Sequence, residues 1–234
     1  MKEQYVGDIN DYVKYSVLRA IQAAQPSPLL VCWMLTHEDA RADGLRTQYL
    51  ADPDRYRDVD PHLFDELGRI VATGRRSTKN VESAGLLPGA SFFRSYLKDA
   101  LDAREDFLSA LWGVARPRSV VFFDPDNGLD VRSTPVGRAG SARYVYCSEL
   151  APLADLGSAA VIYQHFPRVA RQAYVEAQLT RLADALPGYT TMAIHGSNIA
   201  LLIAAPAALE HGIRTALRTA AERWGNRLYV TLLA

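Results

Sequence analysis

An excess of charge, paired cysteines and long apolar runs are all missing from this sequence of 234 residues, and each absence narrows its function. The 26 Lys and Arg side chains are balanced by 26 Asp and Glu. No overall basic field therefore argues for a nucleic-acid partner, although a local basic patch survives such an average. Arg far outnumbers Lys, a bias that suits bidentate phosphate contacts and that genomic composition alone also produces. The two cysteines, Cys32 and Cys147, lie in apolar runs without Cys-x-x-Cys spacing, as expected of buried thiols in a reducing compartment. No apolar run reaches membrane-spanning length and the N-terminus lacks a signal-peptide core, which points to a cytoplasmic protein without a membrane partner. No Gly-x-Gly-x-x-Gly follows the first strand, where Thr36-His37-Glu38-Asp39-Ala40-Arg41 stands, and no Gly-Lys-Ser/Thr loop occurs. Both absences argue against nicotinamide chemistry and phosphate-loop nucleotide hydrolysis, and no cofactor is expected.

What is present is an alternation of strand-like and helix-like segments along the whole chain, the pattern of a single α/β domain spanning 1–234. The expected fold has three layers, with a mostly parallel central sheet flanked by helices. Helices are predicted over 11–24, 61–73, 95–111, 169–185 and 207–224. Strands are predicted over 29–35, 120–123, 144–147, 159–163, 190–194, 198–204 and 228–233, and 87–93 is extended or irregular. The polar, turn-rich stretch 36–57 is long for a simple connection and reads as a functional insertion.

The most informative segment is Ser119 to Gly128, where Val120-Val121-Phe122-Phe123 ends abruptly in Asp124-Pro125-Asp126-Asn127. A run of that kind is a strand buried on both faces, and ligands of open α/β sheets collect outside the carboxyl ends of such strands. An Asp-Pro turn explains the same residues structurally. Three further polar clusters interrupt apolar architecture. Gly7 to Tyr15 opens a helix with Asp8, Asn10, Asp11, Tyr12 and Lys14 within two turns, where Asn10 or Asp11 suffices as a cap and Lys14 suits a phosphate. Tyr163-Gln164-His165-Phe166-Pro167-Arg168 ends a strand and offers stacking rings, an amide and a phosphate-binding Arg. His195-Gly196-Ser197-Asn198 reads as a hairpin turn that keeps His195 as a candidate electrophile. Asp and Asn oxygens suit Mg²⁺, but no further acidic cluster is evident and no metal is expected.

Two resemblances meet at these residues. Gly7 to Tyr15, Thr36-His37, Leu87-Pro88-Gly89-Ala90 and Asp124-Pro125 resemble the ribosomal RNA adenine-N6 methyltransferases, which open with a Gly-Asn-His-Ala-Asp-x-x-Lys-His segment. That resemblance implies adenosylmethionine as cofactor, with Asp124 accepting the amino proton and Lys14 and His37 near the cofactor. Asp126-Asn127 here replaces the Pro-aromatic pair of that family, and the glycines after the first strand are absent. Val120 to Asn127 and His195-Gly196-Ser197-Asn198 are similar to the water-activating and His-Pro-Ser motifs of the uracil-DNA glycosylase superfamily.

Both families act on a nucleobase in a polynucleotide, extruding it into a pocket, and the missing cofactor loop favours hydrolysis. The leading expectation is a DNA N-glycosylase for a modified or damaged base, leaving an abasic site, with DNA favoured over RNA. Asp124 would activate water with help from Asp126 or Asn127, and His195 would stabilise the leaving base. Asn10, Tyr12, Tyr163, Gln164, Phe166 and Asn198 would contact the base, and Lys14 and Arg168 the phosphates. The alternatives are a nucleic-acid methyltransferase and an inactive nucleic-acid-binding module.

Overall fold

A computed structural model describes residues 1–37 and 46–233; of the predicted insertion at 36–57, residues 38–45 lie outside the described residues. In chain order the helices are α1 (Ile9–Ala24), α2 (Pro53–Tyr56), α3 (Pro61–Ala72), α4 (Thr78–Ser83), α5 (Leu101–Val114), α6 (Pro152–Leu156), α7 (Arg171–Ala185) and α8 (Ala207–Trp224). The strands are β1 (Leu29–Cys32), β2 (Ser91–Phe93), β3 (Val120–Phe123), β4 (Gly128–Leu129), β5 (Tyr144–Val145), β6 (Ala159–His165), β7 (Thr190–His195), β8 (Ile199–Ala205) and β9 (Tyr229–Leu232). Among the described residues seven strands form one sheet in the order β2-β1-β3-β6-β8-β7-β9. It is parallel across β2, β1, β3 and β6, and antiparallel from β6 through β8, β7 and β9. Helices cover both faces, giving the three-layer α/β architecture expected.

The period of two along each strand sorts the core into two halves. Val31, Val120, Phe122, Val161 and Ile194 turn to one face, where they pack with Tyr12, Tyr15 and Leu18 of α1 and Ile213 and Leu217 of α8. Cys32, Val121, Phe123, Ile162 and Ala193 turn to the other, against Phe107 and Leu111 of α5 and Val175, Leu179 and Leu182 of α7. Continued past the strand ends, this parity aims Asp124, Tyr163 and His165 toward α1, and Gln164 and His195 toward α7. The functional geometry follows from that division.

Local chemistry sets the helix ends. α1 begins where the Asp8 carboxylate accepts from the amides of Asn10 and Asp11, at 2.8 and 3.0 Å. Asp8, rather than Asn10 or Asp11, is therefore the cap, and Asp11 instead accepts from the Gly7 amide at 2.9 Å. The expected helix over 95–111 starts only at Leu101. Leu35 bridges Tyr96, and the Asp99 carboxylate takes the amides of Gly140 and Ala142, so 95–100 is drawn onto the loop before β5.

Gly128 opens β4 with φ of +127°, and any Cβ there would overlap the Gln164 side-chain amide. Gly128→Ala combines that clash with a strained backbone. It is expected to cost about 3 kcal/mol in urea unfolding, from overpacking and strain together. A loss below about 0.5 kcal/mol would show that Gln164 moves freely.

Candidate functional site

Sheets of this topology bind ligands at the switch point, the crevice at the carboxyl ends of two strands whose connections leave in opposite directions. Here that crevice lies between β1 and β3, since β2 flanks β1 on one side and β3 on the other. The chain's own first residue fills it. The α-ammonium of Met1 donates to the Met34 and Asp124 carbonyls, both at 2.9 Å, and the Thr36 amide donates to the Met1 carbonyl at 3.0 Å. The opening that survives is one strand over. It is a cleft of about 430 Å³ above the ends of β3 and β6, walled by the start of α1.

At its floor lies Lys14, a buried ammonium held by two carboxylates. Its Nζ is 2.6 Å from Asp11 Oδ1 and donates to both oxygens of Asp124, at 3.0 and 2.9 Å, while the Tyr163 ring lies 4.9 Å from it. Burial opposes the Lys14 charge, but Asp11 and Asp124 outweigh it and its pKa is raised. Lys14 is thus a fixed cation rather than a nucleophile. Asp124, with both oxygens engaged and its side chain 1% exposed, is poorly placed to take a proton from water.

Asp126 differs. One oxygen accepts from the Thr36 hydroxyl at 2.7 Å, and the other is 3.1 Å from the Met1 α-ammonium in an ion pair, with Lys2 Nζ 4.0 Å from the carboxylate. Asp8 forms another wall of the same cleft. Burial, then the nearby Asp11 charge, raises its pKa to about 7 against the pull of Lys14. The lining of one cleft therefore includes a carboxyl that holds its proton near neutrality and a carboxylate flanked by ammonium groups. Asn10, Asn127, Tyr5, His165, Arg46 and Arg143 also line it.

The Asp8 shift has a consequence for stability. Its folded pKa lies above the unfolded value of 3.8, so its contribution is fully present below about pH 4 and is lost as pH rises through about 7. Asp8→Asn keeps a competent cap and removes this dependence. Relative to the wild type, the variant should gain on the order of a few kcal/mol between pH 4 and 8. Urea unfolding across that range checks it, and a constant difference would refute the assignment.

Of the residues expected at the site, Asp124, Asp126, Asn127, Asn10, Tyr163 and Lys14 line this one cleft. Phe166, Arg168 and Asn198 line a neighbouring one. The others belong to the framework. Tyr12 is wholly buried, stacked on Tyr49 at 5.3 Å with its hydroxyl donating to the Tyr56 carbonyl, which leaves no face for a base. Gln164 spends its amide on internal partners, accepting from the Leu129 amide and donating to the Asn127 carbonyl and the Tyr174 hydroxyl. His195 shares the strand-end edge with Asp124, but parity turns it to the α7 face, three strands away. Its Nε2 pairs with Thr231 Oγ1 at 3.1 Å, and burial lowers its pKa. Strands lie about 4.8 Å apart, so Asp124 and His195 cannot flank one sugar. His37, expected near a cofactor, stacks on Tyr96 at 4.8 Å and lines neither cleft.

Nothing local in the sequence marks Met1, Lys2, Arg46 or Arg143, and Thr36 stands out only through its place in the methyltransferase resemblance. Asp8, Asp11 and Lys14 did carry a signal, since their spacing of three places all three on one face of α1. Among the described residues no three His, Cys, Asp or Glu side chains are grouped as metal ligands, and no helix is long and apolar enough to cross a membrane. No family model and no curated protein matches the chain.

Proposed function

We propose that this protein hydrolyses the N-glycosidic bond of a base extruded from a nucleic acid, DNA in the first instance, leaving an abasic site. The observation that carries the reading is the pairing, in one cleft, of a carboxyl that retains its proton near neutrality (Asp8) with a carboxylate set between ammonium groups (Asp126). Groups whose surroundings differ in this way take opposite roles in acid–base chemistry. Asp126 orients a water and accepts its proton as the oxygen bonds to the sugar C1′. The C1′–N bond breaks, and Asp8 gives its proton to the departing base nitrogen. Asp8 Oδ1 takes two backbone amides, and Oδ2, whose contact with the Asn10 side-chain amide is a long 3.4 Å, carries that proton. Asn10 and Asn127 supply amides for the base edge. Lys14, fixed between Asp11 and Asp124, makes the floor of the cleft rigid beneath the ring.

The filled crevice between β1 and β3 supports this reading over methyl transfer, because an adenosyl cofactor at the switch point would have to displace Met1. The test is incubation, without adenosylmethionine, with DNA carrying ordinary, damaged or modified bases, followed by alkaline cleavage and mass detection of free base. Release from one base type that is lost in Asp126→Asn is the expected result. Intact strands throughout, with thermal stabilisation by adenosylmethionine, would replace hydrolysis with the methyltransferase reading.

A further inference from the structure

The cleft described above opens along the strand ends into a second, of about 550 Å³, and Arg46 and His165 belong to both. The first is mixed in charge, and the second carries cations alone. In the first, four Asp side chains are matched by the Met1 amine, Lys2, Lys14, Arg46 and Arg143, whereas the second is lined by Arg46, Arg168 and Arg171 and by no acidic residue among those described. All three arginines are exposed. Arg171 is already oriented, because its Nε donates to the Ser197 carbonyl at 2.6 Å and its guanidinium lies 5.7 Å from the centre of the Phe166 ring. A guanidinium held in this way loses little freedom on binding an anion. The same wall includes the start of α7, where Ala170 and Arg171 line the cleft and the cap residue Ala170 offers no side chain to the first amides.

A nucleotide within a strand has the matching polarity, with a neutral base at one end and an anionic phosphodiester at the other. A neutral nucleoside gains nothing from the arginines of the second cleft, whereas a nucleotide within a strand places a phosphodiester among them. We infer that the second cleft binds the phosphodiester flanking the nucleotide whose base enters the first, so that the substrate is a polynucleotide strand and not a free nucleoside. This rests on the hydrolase reading for the contents of the first cleft. Arg168 and Arg171 contact the phosphate oxygens, and Asn198 lies within the same wall.

The test is equilibrium binding of a fluorescently labelled single-stranded DNA of about 15 nucleotides, long enough to span both clefts, over a potassium chloride series. A single strand avoids the cost of extruding the base. Arg168→Ala should weaken binding and lower the slope of log Kd against log salt by about 0.7, the value of one lost phosphate contact on a single strand. Adding Arg171→Ala should lower it by a similar step. Arg218→Ala, which removes an exposed charge on α8 that lines neither cleft, should leave it unchanged. Unchanged slopes in the Arg168 variants, or an equal fall in the Arg218 variant, would overturn the inference. Binding needs no chemistry, so the two proposals separate. Lowered slopes with no base released from any DNA would keep the strand site and remove the hydrolase. Release from free nucleosides with the same kcat/KM as from oligonucleotides would keep the hydrolase and remove the strand site.

Discussion

Replacing Lys14 by Met is expected to cost about 3–5 kcal/mol of folding stability at neutral pH, the range for removing one partner of a buried ion pair. Methionine keeps the unbranched apolar stem, so the loss reports the charge and not a cavity. Without the ammonium, Asp11 and Asp124 are left buried and facing each other with no counter-ion at their centre. Burial already presses the Asp124 pKa upward against Lys14 and the Met1 amine, and in the variant it acts against the amine alone. A carboxyl whose folded pKa is raised contributes stability at low pH that is lost as pH rises through the folded value. The defect should therefore shrink below about pH 4, where the carboxyls are protonated in both states. Urea unfolding at pH 4 and pH 7 measures both points. A defect of the same size at the two pH values would mean that Lys14 acts by packing. The second variant, Lys14→Met with Asp124→Asn, should recover part of the loss at neutral pH, because it removes the uncompensated charge.

The Lys14 cluster also marks where the sequence was legible and where it was not. α8 runs from Ala207 to Trp224 as the sequence predicts, because Pro206 and Gly225 bracket an apolar stripe that needs no distant partner. β3 ends at Phe123 for the same local reason, since Pro125 and Gly128 break the run. Lys14 meets Asp124 across 110 residues, and that contact depends on α1 lying on one particular face of the sheet. No local pattern states which face. The misplaced expectations at Gln164 and His195 share this cause. Both are polar residues at the ends of apolar strands, which is all the sequence offers, yet the period of two turns them toward α7 and away from the cleft. Tyr12 falls between Asn10 and Lys14 in the sequence, but residues two apart on a helix face different ways, and it packs into the ring cluster of Tyr49, Phe64 and Trp224.

The division of labour between Asp8 and Asp126 predicts how rate responds to pH. The proposed hydrolysis requires Asp8 to hold its proton, so kcat/KM should fall as pH rises through about 7, where Asp8 loses it. Asp8→Asn removes the proton donor while keeping the shape and the cap. It should lower the rate by roughly 10²- to 10⁴-fold, the usual contribution of a positioned acid, and should abolish the alkaline limb. Asp126→Asn should lose a similar factor but retain that limb, because Asp8 still titrates. Asp124→Asn is the discriminating third variant. It leaves Lys14 paired with Asp11 alone, and its effect should be seen mainly in stability, with a smaller loss of rate than either of the others. Were Asp124→Asn the most damaging to kcat in a folded protein, the water would be activated by Asp124, and Lys14 would have to release that carboxylate during turnover. A substrate with a better leaving base needs less help from the acid, so it should rescue Asp8→Asn and not Asp126→Asn. That asymmetry separates a proton donor from a residue that merely holds the start of α1 in place.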